Sequence, residues 1–106
     1  MFISHDDVRP VEMLPGITRY TLGTGEAMML CEITLQKGVS VPLHDHPNEQ
    51  VGYVISGVIE LEIRGKVRTL TAGDSYYIPG GVKHMAHAVE TTKVIDVFSP
   101  PRDDYR

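Results

Sequence analysis

Gly38-Val39-Ser40-Val41-Pro42-Leu43-His44-Asp45-His46-Pro47-Asn48-Glu49-Gln50-Val51-Gly52-Tyr53-Val54-Ile55-Ser56-Gly57 is bounded by glycines and holds a short turn at Pro47-Asn48, followed by an apolar, strand-favouring segment. The same grain recurs along the chain. Short apolar or alternating runs are separated by Gly, Pro and Asp, and no long window keeps a helical apolar period. The chain therefore reads as all-β, with strands expected over 17–22, 27–36, 51–56, 58–64, 66–71, 75–78, 83–89 and 92–98. Arg64-Gly65-Lys66 reads as a tight hairpin turn, and Ser56-Gly57, Ala72-Gly73-Asp74 and Gly80-Gly81 supply corners. So many short strands point to a closed or nearly closed barrel or jelly roll, an arrangement that limits exposed edges. No linker, repeat or low-complexity segment divides residues 1–106, which read as one domain.

Composition sets further bounds. A chain of 106 residues buries roughly 65% of its unfolded surface, enough for a core without disulfides. With 42% hydrophobic and 23% charged residues it falls among ordinary globular proteins. A net charge of −4 and the absence of any Lys/Arg run argue against a nucleic-acid partner, which would need a clustered basic surface. The lone Cys31 has no internal partner and sits in an apolar stretch, so it reads as a buried structural thiol rather than a reactive one. Met1 to Pro10 lacks the apolar core of a secretory signal, and no apolar run is long enough to span a membrane. The expectation is a cytoplasmic, unprocessed protein.

Five histidines are present, and four polar residues form a pattern. His44 and His46 are two apart, so on an extended segment both imidazoles project to one face and can share an ion. Gln50 follows the turn and can offer an amide oxygen, while His84 comes from a later strand. His87 has the opposite parity on that strand and is expected to face away. A lone His-x-His is often only a chance pair on a solvated strand. Here the flanking glycines and a second run, Gly73 through Pro79 and Gly81 to His84, weigh against that reading.

These two motifs resemble those of the cupin superfamily. The resemblance implies a double-stranded β-helix, or jelly-roll barrel, and a metal held by His44, His46, Gln50 and His84. The chain departs from the usual cupin pattern in having Gln50 where Glu is common and Ala88 where Asn is common. A ligand set of three imidazoles and an amide cancels none of a divalent ion's charge, so the ion would be a strong Lewis acid. Zinc, nickel, iron, manganese and cobalt all suit such donors. Oxygen chemistry is less favoured than with a carboxylate ligand.

The last strand, Val94-Ile95-Asp96-Val97-Phe98, is interrupted by a carboxylate and followed by Ser99-Pro100-Pro101-Arg102. Together with 44–54 and 74–79, it makes nearly the whole chain similar to the pectin-degradation cupins of the KdgF type. That resemblance implies an isomerase-type enzyme that opens the ring of 4,5-unsaturated uronates to 5-keto-4-deoxyuronate, with Asp96, Phe98 and Arg102 in its active site. It also implies a homodimer, to which an N-terminal arm over 1–15 is a candidate contributor. Physically, Asp96 and Phe98 share parity with Val94, so an inward-facing strand would carry a carboxylate into the barrel; otherwise Asp96 points outward or caps a turn. Arg102 suits bidentate grip of a carboxylate, or else pairs with Asp103 or Asp104 in a solvated tail. Tyr53, Tyr77 and Arg19 are near enough in the sequence pattern to reach a cavity, although packing roles are the simpler expectation. A mononuclear-metal dioxygenase and a non-catalytic sugar-binding cupin are the competing functional readings.

Overall fold

The computed structural model describes all residues, Met1–Arg106. Its strands are β1 (Val11–Leu14), β2 (Ile17–Thr24), β3 (Met29–Leu35), β4 (Ser40–His44), β5 (Glu49–Ser56), β6 (Val58–Ile63), β7 (Lys66–Thr71), β8 (Ser75–Ile78), β9 (His84–Ala88) and β10 (Thr92–Ser99). Short 3-10 turns cover His5–Asp7 and Asp103–Tyr105. The strands form two antiparallel sheets, one ordered β1-β2-β3-β10-β5-β8 and the other β4-β9-β6-β7. The all-β jelly-roll expectation is met.

Two strands were not foreseen. β1 is an edge strand with three of its four residues exposed, so it lacks the alternation that marks a half-buried strand. β4 contains Pro42 and shows no regular burial alternation, and both features hide a strand from pattern reading. Where alternation is clean the expected strands appear: β3 buries Met29, Cys31, Ile33 and Leu35, and β10 buries Thr92, Val94, Asp96 and Phe98. These rows meet Val54 of β5 and Ile59 and Leu61 of β6 in one core. Cys31 lies fully inside it, as expected for a structural thiol.

The inner row of β5 is Gln50, Gly52 and Val54, and its outer row exposes Val51, Tyr53 and Ile55. Tyr53 and Tyr77 therefore lie exposed on the outside of the barrel, and neither reaches the cavity nor packs in the core. The corner between β5 and β6 depends on Gly57, whose φ is +97°. A Cβ there would lie 2.6 Å from the Thr92 Cα and overlap the Thr91 carbonyl. Left-handed backbone and overlap act together, so Gly57→Ala is expected to cost about 3 kcal/mol. On a chain of this size that lowers Tm by more than about 10 °C in a circular-dichroism melt; an unchanged Tm would mean the corner relaxes.

Candidate metal centre and active site

Strand pairing assembles the histidines. His44 lies directly opposite His84 across β4 and β9. His46 lies past the end of β4, in the turn before β5, so the extended-segment argument for the 44/46 pair holds only as far as His44. The turn nevertheless returns His46 to the same spot: ring centroids are 4.2 Å apart for His44–His84, 4.9 Å for His46–His84 and 5.7 Å for His44–His46. One potential ligand atom from each ring lies within 4.8 Å of the others.

The hydrogen bonds show which atoms face inward. The Nδ1 atoms of His44, His46 and His84 lie 2.8, 2.9 and 2.8 Å from the main-chain oxygens of Pro42, Asn48 and Val82. A carbonyl can only accept, so each Nδ1 carries the proton and each Nε2 keeps a lone pair. Gln50 is oriented with its Oε1 toward the histidines, and its side chain acts on Asp96 by lowering the carboxyl pKa. Gln50 Oε1 is then 3.2 Å from His46 Nε2, an acceptor facing an acceptor. Burial lowers the pKa of His46 and takes that of His84 down to about 4, so protonation of these rings does not supply the missing donor at neutral pH. A cation would. The chain's own donor set thus fits a divalent transition metal held by His44, His46, Gln50 and His84.

His87 is on the other face of β9, its Nδ1 2.7 Å from Ser40 Oγ. It takes no part in the cluster.

Asp96 is 3% exposed and points into the barrel, opposite Cys31 on β3 and Gly52 on β5. Burial raises its pKa to about 6, against the lowering effects of the Tyr76 hydrogen bond, the Gln50 side chain and the Arg102 charge. Tyr76 Oη donates to Asp96 Oδ1 at 2.5 Å. Phe98 is buried with its ring edge-on to His46, the centroids 5.6 Å apart. Both residues are on the inward row that their parity with Val94 suggested.

Arg102 takes one of the two arrangements that the sequence left open, pairing with Asp104. Its Nε and Nη2 donate to the Asp104 carboxylate at 3.2 and 2.8 Å, and Nη1 donates to Tyr105 Oη at 2.9 Å. The side chain is nonetheless only 12% exposed and lines the barrel cavity. A guanidinium has five N–H groups, so two remain for a ligand. Tyr105 is stacked between Arg102 and Arg19, whose guanidinium carbons lie 3.9 and 4.1 Å from its ring centroid. Arg19 is thus a buried packing residue, and Thr21 Oγ1 donates to the Tyr105 carbonyl at 2.7 Å to hold the C-terminal segment down. Asn48 Nδ2 donates to the Pro100 carbonyl at 2.6 Å, tying the His46 turn to that segment.

The cavity, about 80 Å³, is mostly apolar, and its polar lining includes His44, Gln50, His84, Tyr76, Asp96 and Arg102. An open cleft of about 510 Å³ lies between the 45–48 turn and the 100–104 segment, and Arg102 lines both spaces. Tyr76 was not singled out from the sequence. Its parity with Ile78, the buried residue two positions on, was the available signal.

Comparison with known proteins agrees with this architecture. The cupin domain family matches residues 31–98. The pectin degradation protein KdgF of Dickeya dadantii is 35% identical over 106 aligned residues, covering 94% of this chain and 94% of that protein. The solved structure of KdgF from Halomonas sp. superimposes with a TM-score of 0.94 at 32% identity, over 100% of this chain and 98% of that one. An RmlC-like cupin from Shewanella frigidimarina has the same TM-score, 0.94, and identity, 32%, over 99% and 95% of the two chains.

Proposed function

Because the chain belongs to the cupin family, and because its barrel sets a buried carboxylate beside four converging acceptors, we propose that it linearises 4,5-unsaturated uronates to 5-keto-4-deoxyuronate. The similarity to KdgF over nearly the whole length supports a role in pectin degradation. The observation that carries the reaction is Asp96, an ionisable group inside a mostly apolar cavity whose other polar groups are metal-ligand types, phenols and a guanidinium.

The substrate is a cyclic hemiacetal with a C4–C5 double bond. Opening it breaks the bond between C1 and the ring oxygen and removes the proton of the C1 hydroxyl. Restoring neutrality places a proton on C4 as the C5 oxygen becomes a ketone, so the product has the substrate's formula. Asp96 is assigned both transfers: it takes the proton from the C1 hydroxyl and returns one to C4. Burial raises the pKa of this carboxyl to about 6 and a nearby bound cation would lower it, opposing effects that tune a group to hold and release a proton. Arg102 uses its two remaining N–H groups to orient the uronate carboxylate at the junction of cavity and cleft. Phe98 forms an apolar wall beside His46 and keeps water from the site. A divalent ion held by His44, His46, Gln50 and His84 would supply Lewis-acid polarisation of a substrate oxygen.

The test is proton NMR of freshly generated unsaturated galacturonate monomer, following the C4 vinyl signal with and without metal-loaded protein. The expected outcome is loss of that signal well above the spontaneous rate. Decay at the spontaneous rate would remove the assignment.

A further inference from the structure

Tyr76 reaches Asp96 from two strands away, and the pairing shows how. Gly52 of β5 lies opposite Asp96 on one side and opposite Tyr76 on the other, so the three residues form a row across β10, β5 and β8. Neighbouring strands are about 4.8 Å apart, and a residue in the middle of such a row normally fills the space between its neighbours with its own side chain. Gly52 has none. A Cβ at this position would overlap the Tyr76 ring carbon Cζ and the hydroxyl oxygen, so the phenol occupies the space a side chain would take. From there Oη donates to Asp96 Oδ1 at 2.5 Å.

We propose that Tyr76 is a positioning residue, seated over Gly52, that fixes the plane of the Asp96 carboxylate for proton transfer. A carboxylate held only by its own strand can turn about its last bond. A donor on Oδ1 removes that freedom. Burial and the neighbouring carboxylate hold the Tyr76 pKa well above its usual value, so the phenol stays a neutral donor throughout the working range. Gly52 thereby has a specific purpose. Within a strand interior a glycine otherwise weakens the sheet, and a close approach by another group is the usual reason to keep one.

This inference rests on the linearising activity, so the wild-type NMR assay comes first and separates the two. A wild-type rate at background overturns both readings. With wild type active, the test is kcat and KM for Tyr76→Phe, which keeps the ring over Gly52 and deletes only the donor. The expected result is a kcat lower by roughly 10- to 100-fold with KM changed less than about threefold, since misorientation of a reacting group acts on the transition state. Gly52→Ala, which pushes the ring off its seat, is expected to give the same split in a folded protein with its metal content retained. If Tyr76→Phe lowers Tm and leaves kcat unchanged, the phenol is only a packing group and the proposal fails. It fails equally if KM rises and kcat does not fall.

Discussion

Asp96→Asn is expected to lower kcat by roughly 10²- to 10⁴-fold, the usual range for loss of a positioned acid or base. The change is nearly isosteric, and an Asn side-chain oxygen can still accept from Tyr76, so the cavity need not rearrange. Stability should move the other way. Burial raises the Asp96 pKa from 3.8 to about 6, which means that the folded state binds the proton more tightly than the unfolded chain does. Its contribution to stability is fully present below pH 3.8 and is lost as pH rises through about 6. At pH 7 the wild-type protein bears the cost of a buried charge that Asn does not carry, so metal-free Asp96→Asn should melt at or above the wild-type temperature. Retained activity in this variant would remove Asp96 from the mechanism, whatever the melting curve shows.

His84→Ala should lose the metal and, with it, the activity. Even residues that only support ligands typically change affinity 10- to 100-fold, so removing a ligand is expected to cost at least about 100-fold. A divalent ion bound there would, at 100 times its Kd, stabilise the wild-type fold by about 2.7 kcal/mol, an expected rise in Tm of roughly 10 °C or more for a chain of this size. At the same ion concentration His84→Ala should show little of that rise. A full thermal shift in the variant would exclude His84 as a ligand. The pH dependence has a definite sign too. With its pKa depressed from 6.5 to about 4, His84 contributes stability that is present above pH 6.5 and is lost as pH falls through about 4. That slope opposes the slope from Asp96 over nearly the same interval. In the metal-free protein, acidification from pH 6.5 to 4 should therefore destabilise Asp96→Asn more than wild type, and His84→Ala less.

Much of the arrangement was legible because it depends on local periodicity. Period-two alternation exposed β3, β5 and β10 and put Asp96 and Phe98 on the same row as Val94, without knowledge of which strands they pair with. The residues of the histidine cluster were legible from a motif, although spacing alone does not explain how they meet. His46 comes to the cluster through a turn in which its Nδ1 donates to the Asn48 carbonyl, whereas the two-residue spacing brings both rings to one face only on an extended segment. β4 and β1 escaped notice because exposure on both faces erases the alternation on which such a reading depends.

What the sequence by itself determined is therefore the all-β barrel, the inward row of its last strand, and the identity of the residues that gather at the candidate site. Only the tertiary structure decided their surroundings. The row from Tyr76 through Gly52 to Asp96 depends on the register of three strands far apart in the chain, and the Tyr105 stack joins Arg19 of β2 to Arg102 near the other end. Alternation tells which face a side chain takes. Which residues meet across that face depends on long-range pairing, which leaves no local trace in either strand.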